Sequence, residues 1–253
     1  ARHLSVLCNQ MVNFLGIMQN EWAGAQAFSS FDTYLAPFVK VDNLSYPEVK
    51  KCIEAFIYGV NTPSRWGTQA PFSNITLDWT VPDDLAELPA LVGGVEMDFK
   101  YKDCKKEMDM VNKAFIETMI EGDSNGRGFQ YPIPTYSITK DFDWSDTENN
   151  RLLFEMTAKY GTPYFSNYIN SDMQPSDVRS MCCRLRLDLR ELRKKTGGFF
   201  GSGESTGSVG VVTINMPRIA YLSANKDEFY ARLNHMMDIA ARSLKIKRGV
   251  ITK

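Results

Sequence analysis

Segments with helical spacing of apolar residues alternate along this chain with short extended segments, and that alternation restricts the fold more than any other feature. Leu4, Leu7, Met11, Leu15, Met18 and Trp22 recur every three or four residues, which predicts a long helix with one apolar stripe and a weakened end at Gly24. Ser45-Tyr46-Pro47-Glu48 has the composition of a capping box, and Val49, Ile53, Phe56, Ile57 and Val60 continue it as a second amphipathic helix. The stretch over about 71–79 alternates like a strand rich in polar side chains, suited to lining a barrel or cleft. A loop rich in Pro and Asp follows over about 81–95, then a helix over about 102–120 with Met108, Val111, Phe115 and Met119 on one face. After the turn Asn125-Gly126-Arg127-Gly128 comes a proline-interrupted strand over about 129–138. The next helix is capped by Asp146, keeps Leu152, Leu153, Met156 and Tyr160 inward and stops at Gly161. A short strand over about 163–169, a buried strand over about 209–215 closed by Met216-Pro217-Arg218, and a helix over about 226–244 using Phe229, Leu233, Met236 and Ala240 complete the order. Strands separated by helices are joined by crossovers, so the expected class is α/β with a mainly parallel sheet or barrel.

Bulk properties exclude several functions. The 253 residues suffice for one large α/β domain or two small ones with a substantial core. A net charge of −1 gives no electrostatic case for a nucleic-acid partner or a membrane surface, and no apolar run reaches bilayer length. A cytoplasmic location is the default expectation. The chain opens inside an apparent helix and closes on a basic segment without a cap, the pattern of a piece of something longer.

Five cysteines, Cys8, Cys52, Cys104, Cys182 and Cys183, lack CxxC spacing, which argues against a disulfide framework and a thiolate zinc site; no metal ligand set is expected. With His3 and His235 the only histidines, a Ser-His-Asp triad is improbable, and His235 sits in a helical pattern as an ordinary helix residue. The adjacent pair Cys182-Cys183 follows a turn-rich approach. Joining them to each other would hold their Cα atoms about 3.8 Å apart, against about 4.4–6.8 Å in ordinary disulfides. One of them reads as a reactive thiol, with Arg184 and Arg186 available to lower its pKa; two ordinary reduced cysteines are the alternative. The tract Gly197-Gly198-Phe199-Phe200-Gly201-Ser202-Gly203 matches neither the dinucleotide nor the P-loop fingerprint and reads as a flexible turn.

Four blocks in order carry a resemblance: Gln19-Asn20-Glu21-Trp22-Ala23-Gly24-Ala25-Gln26-Ala27-Phe28, Ser64-Arg65-Trp66-Gly67-Thr68-Gln69-Ala70-Pro71-Phe72-Ser73-Asn74, Ser180-Met181-Cys182-Cys183-Arg184, and Gly210-Val211-Val212-Thr213-Ile214-Asn215-Met216-Pro217-Arg218-Ile219-Ala220. Together they resemble the anaerobic (class III) ribonucleoside-triphosphate reductases, which are glycyl-radical enzymes. The resemblance implies part of a ten-stranded α/β barrel around a central finger loop. Residues 1–253 would form the central part of one catalytic barrel domain, with 1–60 a helical region at a dimer interface and effector site and 61–253 the strands, helices and loop. By resemblance Cys183, directly before Arg184, is the residue that becomes a thiyl radical and abstracts the ribose 3′ hydrogen, after which the 2′ hydroxyl leaves as water. Cys182 is its neighbour and a possible redox partner.

The resemblance further implies a glycyl radical generated by an activating protein that uses S-adenosylmethionine and a 4Fe-4S cluster, dNTP or ATP effectors, a homodimer, and formate or a redoxin as reductant. The family's glycyl-radical motif, four-cysteine zinc site and ATP-cone domain have no counterpart in this sequence, so this segment alone is expected to be inactive. Ser208 falls where some members carry an asparagine tied to formate use, which makes it the reductant-site candidate and brings a redoxin forward. Ser73, Asn74 and Asn215 are substrate-cleft candidates, the alternative for the first two being strand-end hydrogen bonding. Lys40 is the candidate effector-phosphate contact, the alternative being a solvated lysine. Two other readings stand beside this one: a lyase of the pyruvate formate-lyase type, against which the Val-Val-Thr-Ile-Asn-Met-Pro-Arg block weighs, and a non-catalytic nucleotide-binding fragment.

Overall fold

The computed structural model describes residues 1–21, 25–62, 70–169, 178–180, 186–188, 210 and 212–251. Four parallel strands form the central sheet in the order β1-β2-β5-β6, where β1 is Gln26–Phe28, β2 Ser73–Leu77, β5 Ile133–Ile138 and β6 Tyr164–Asn167. Helices supply every crossover, as parallel pairing requires. The α/β class and the parallel sheet are thus as the alternation predicts.

Helix α1 (Leu4–Glu21) buries Leu4, Cys8, Met11 and Leu15 along one stripe. It packs on α3 (Tyr46–Asn61), where a Cβ added at Gly59 would come within 2.8 Å of Val12, so the close approach of the two helices depends on that glycine. The capping box at α3 forms as read: Ser45 donates its backbone N–H to Glu48 Oε2 at 2.8 Å and its hydroxyl to the same oxygen at 2.6 Å. Val49, Ile53, Phe56, Ile57 and Val60 are fully buried beneath it, each contributing roughly 1.5–3 kcal/mol of apolar burial. Helix α5 (Lys105–Glu121) adds Met108, Val111, Phe115 and Met119, as its spacing predicts. The weakened end expected at Gly24 lies outside the described residues.

The sequence reading missed or misplaced several elements. Helix α2 (Phe31–Val41) is not among the elements expected from the sequence; it contains Pro37, and most of its residues are buried. The predicted loop over 81–95 holds the short helix α4 (Asp83–Ala86) and an antiparallel hairpin of β3 (Pro89–Val92) and β4 (Val95–Lys100). Its turn is Gly93-Gly94, both with positive φ (64° and 79°), the two-residue geometry whose twist matches paired strands. The cap of α6 (Glu148–Tyr160) is Thr147, whose hydroxyl accepts the Asn150 N–H at 3.2 Å; Asp146 instead pairs twice with Arg151 at 2.6 Å. Gly161, with φ 66°, ends α6 as read.

The chain divides into two compact units, residues 1–197 and 198–253. In the second, the buried strand expected over 209–215 is absent from the described residues, and Val212 is exposed. Asn215 and Pro217 start helix α7 (Met216–Tyr221) there, because a capping asparagine followed by a first-turn proline favours a helix start over strand propensity. Helix α8 (Lys226–Ile251) runs further than the predicted end near 244.

Candidate active site

Two regions bear on chemistry: the thiols and one face of the sheet. Among the described residues the free thiols are Cys8, Cys52 and Cys104. Burial pushes the Cys8 thiol up to about 12 and the Cys104 thiol up to about 11, and raises Cys52 as well, so all three are protonated core groups, poor as nucleophiles. Strands β7 (Val178–Ser180) and β8 (Arg186–Asp188) pair antiparallel with Ser180 opposite Arg186. Cys182 and Cys183 lie in the connection between them, residues 181–185, outside the described residues, as do the glycine tract and Ser208.

Alternation along the strands sorts the sheet into two faces. Ile75, Leu77, Tyr136 and Ile138 belong to the main hydrophobic core on one face. The opposite face carries Asn74 and Thr76 from β2, Thr135 and Ser137 from β5 and Ser166 from β6, with Thr76 opposite Thr135 and Ser137 opposite Ser166 in register. Asn74, Thr135, Ser137 and Ser166 are all at most 8% exposed. Parallel strands buried on both faces are normally near-continuous apolar runs, so a row of amide and hydroxyl groups departs from the packing rule. Asn74 Nδ2 donates to Thr135 Oγ1 at 3.3 Å, and Asn74 Oδ1, buried, has no hydrogen-bond partner among the described residues. Thr76 Oγ1 accepts the N–H of Ser30, a non-glycine residue held at φ 51° at the start of α2.

Ser73 does not join this row. Adjacent residues of a strand point to opposite faces, so Ser73 shares its side with Ile75 and Leu77, and only one of the two cleft candidates on β2 can face the polar side. Asn215 is exposed, and its Oδ1 accepts the Arg218 N–H at 2.9 Å as the cap of α7. Lys40 donates to the Asp103 carbonyl at 2.8 Å and lies 5.4 Å from the Phe99 ring centre, which anchors it without using all its N–H donors.

Behind the C-terminal end of β2 sits a buried network that sequence reading did not find. The Asp32 carboxylate, fully buried, accepts the N–H groups of Asp78 (2.8 Å) and Trp79 (2.9 Å) and the side-chain amide of Asn112 (2.9 Å). Asn112 Oδ1 in turn accepts the Tyr136 hydroxyl at 3.0 Å, and Thr33 donates to Asp78 Oδ2 at 2.6 Å. Burial raises the Asp32 carboxyl, partly offset by these three donors; burial and the nearby Asp32 charge push Tyr136 well up. Trp79 is held at φ 64°, a conformation costing roughly 1–2 kcal/mol for a side chain of this kind, and its bond to Asp32 helps fix it there. The network thus locks the strand end toward which ligands bind in parallel sheets. The signal that could have found the polar row is the polar period of two in Thr135-Tyr136-Ser137, matched by Ser166; Asp32 gives no comparable signal.

Among the described residues no group of three or more His, Cys, Asp and Glu side chains could hold a metal ion, and no helix is long and apolar enough to cross a membrane. Comparisons with known proteins supply what geometry alone does not. A model of the anaerobic ribonucleoside-triphosphate reductase family matches residues 1–253. An anaerobic ribonucleotide reductase from Thermotoga maritima with citrate in the active site has a TM-score of 0.66 at 18% identity, covering 100% of this chain and 44% of that one. The same organism's enzyme in complex with dATP and CTP gives 0.63 at 18% identity, covering 100% of this chain and 41% of that chain. A further anaerobic ribonucleotide reductase gives 0.70 at 19%, with 100% and 38% covered. This chain therefore spans less than half the length of each. At these identities the likeness shows the fold, and the parallel sheet described above is a segment of a ten-stranded α/β barrel. No curated protein sequence matches the chain.

Proposed function

The chain belongs to the anaerobic ribonucleoside-triphosphate reductase family, and from that premise we propose that it forms part of a catalytic barrel that reduces ribonucleoside triphosphates to deoxyribonucleoside triphosphates for DNA precursor synthesis. The observation that carries this reading is the family match over the whole of residues 1–253. The lyase and non-catalytic alternatives have no comparable support.

In this reading Cys183 gives up its hydrogen atom to a glycyl radical, which supplies the one-electron oxidising power of the family. Its thiyl would then take the ribose 3′ hydrogen, the 2′ hydroxyl would leave as water, an outside reductant, formate or a redoxin, would supply both electrons of the reduction, and the Cys183 thiol would return the hydrogen to C3′, regenerating the thiyl. Support for Cys183 comes from its place in Met181-Cys182-Cys183-Arg184, between β7 and β8 in the chain, directly before Arg184. Adjacent cysteines make a poor disulfide, so Cys182 exchanges, if at all, with a thiol elsewhere. Asn74 on the polar face is the cleft residue on β2, placed to hold the sugar while the barrel keeps water away from the radical. Ser208 is the residue at the reductant position. Lys40, anchored beside Phe99, offers spare N–H donors to an effector phosphate, a dNTP or ATP, at a dimer interface. The glycyl radical and its activating protein, a radical S-adenosylmethionine enzyme with a 4Fe-4S cluster, complete the proposal.

The test is anaerobic turnover of the intact, activated enzyme with single cysteine replacements. Cys183→Ser should abolish ribonucleotide reduction while effector binding survives, and Cys52→Ser should leave turnover within about twofold. Appreciable reduction by the Cys183→Ser enzyme would falsify the assignment. Formate and a reduced redoxin, supplied separately, identify the reductant; strong formate-supported turnover removes the inference from Ser208.

A further inference from the structure

Three aromatic rings run without a break from the end of the central sheet to the surface. Trp79, 4% exposed just beyond the C-terminal end of β2, stacks on Phe142 with ring centres 5.6 Å apart and planes 16° from parallel. Phe142, in the connection between β5 and α6, meets Trp144 of the same connection at 4.6 Å, and Trp144 is 61% exposed. Tyr136 and Phe154 flank the run, the first edge-on to Trp79 at 5.3 Å and the second stacked on Trp144 at 6.4 Å.

Packing accounts for the middle of this run and not for its ends. A buried ring such as Phe142 stabilises a core wherever it lies. Trp79 is held at φ 64°, in the left-handed region that a bulky side chain avoids and glycine adopts freely. A residue kept in a strained conformation points to a role for its side chain. Most of the Trp144 surface lies in solvent, so burial in the core does not account for it either. What the two ends share is the indole, one of the most easily oxidised side chains, which gives up an electron without first losing its proton. Tyr136 is a poorer electron donor here, because its hydroxyl donates to Asn112 Oδ1, an amide oxygen too weakly basic to take the proton.

We propose that Trp79, Phe142 and Trp144 form a one-electron relay that carries oxidising equivalents from the barrel to the surface. Its purpose rests on the reductase reading, since a radical enzyme must suppress competing reactions of its own radicals; the relay itself rests on the rings alone. The oxidant is a peroxyl radical, the species formed when oxygen meets a radical in the barrel. Trp79 gives it one electron and becomes a radical cation, and the peroxyl takes up one proton to become a hydroperoxide. Trp144 passes an electron to Trp79 across Phe142, whose ring spans the gap without being oxidised. A small reductant in solution, an enediol such as ascorbate, returns one electron to Trp144. One electron enters at the surface for each radical removed inside, and both indoles are restored.

The experiment uses the intact enzyme without its activating protein, so the relay is tested apart from turnover. Tris(bipyridyl)ruthenium(III), generated by a laser flash with a cobalt(III) acceptor, is too bulky to reach buried rings, and peptide mass spectrometry locates the oxidised indoles. Wild type should accumulate oxidised Trp79 as well as oxidised Trp144. Trp144→Phe, a change at an exposed position that keeps the stack, should bring Trp79 oxidation down to the unflashed control. Phe142→Leu should lower it while leaving Trp144 oxidation unchanged. Equal Trp79 oxidation in wild type and Trp144→Phe overturns the relay, as does a wild type in which Trp79 or Trp144 stays unoxidised. The purpose is tested separately, by brief exposure of the activated enzyme to oxygen with ascorbate present: Trp144→Phe should carry more oxidised Cys183 than wild type, and equal oxidation overturns the protective role. If activated wild type reduces no ribonucleotide, the reductase reading fails and takes this purpose with it, while the flash result decides the relay by itself.

Discussion

The two faces of the β1-β2-β5-β6 sheet are built from alternate residues of the same strands, yet they carry opposite chemistry. One face presents Ile75, Leu77, Tyr136 and Ile138 to the helices, and these side chains are 6% exposed or less within the main core. The other presents Asn74, Thr135, Ser137 and Ser166, buried as well but polar. Burial alone therefore does not separate scaffold from site in this molecule. The separation lies in what the buried atoms can bond to, and a shift of one residue along a strand exchanges the two roles. Ser73 and Asn74 illustrate the point, since these neighbours lie on opposite faces and each buries an oxygen without a hydrogen-bond partner among the described residues.

If the apolar face holds the fold together, cutting into it should produce the largest loss of stability. Leu77→Ala removes a fully buried side chain from a close-packed cluster and should cost about 3–4 kcal/mol. Chemical denaturation of the intact enzyme measures it. A loss below about 1 kcal/mol would mean that the sheet can collapse around the cavity and that the apolar face is not the main support.

The Asp32 network sharpens the comparison, because it places a carboxylate on the supporting side. Asp32→Asn sets an amide NH₂ group against donors and should cost about 2 kcal/mol, in the range of hydrogen bonds to charged groups. It also predicts a pH effect. Burial raises the folded-state pKa of Asp32 above the unfolded value near ~3.9, so the folded protein binds the proton more tightly than the unfolded chain. The stability from this proton is then fully present below the unfolded pKa and is lost as pH rises through the folded pKa. Asp32→Asn cannot titrate, so its deficit relative to wild type should shrink as pH rises through that window. A deficit that grows with pH would show a carboxylate stabilised by its donors more than it is penalised by burial.

Much of this architecture is legible in the sequence, and what is not has identifiable causes. Helices α1, α3 and α5 follow from apolar spacing, because each buries one stripe against the core. Helix α2 shows no single apolar stripe, because it is buried nearly all round and includes Asp32, Thr33 and Pro37 among its buried residues. The β3–β4 hairpin is announced by Gly93-Gly94, but the acidic and proline-rich surroundings suggest a loop. Asn74 is visible as a polar residue in a strand pattern. Thr135, Ser137 and Ser166 are less so, because threonine and serine in strands are commonplace and only the pairing register brings them onto one face. Asp32 is the least legible, since its three donors come from residues 46, 47 and 80 positions away.

The smallest effect is the most diagnostic for the comparison. On the apolar face every truncation should destabilise, whereas on the polar face removal of a hydroxyl should cost the fold almost nothing. Ser137→Ala deletes one oxygen from a residue 8% exposed and leaves the backbone and the Tyr136 packing as they were. The change in unfolding free energy should lie within about 0.5 kcal/mol, with either sign, because the substitution deletes a single oxygen and opens no cavity. Thermal or chemical unfolding of the intact enzyme measures it: the variant should match wild type. Destabilisation above about 1 kcal/mol would place Ser137 among the supports of the sheet and erase the distinction between its two faces.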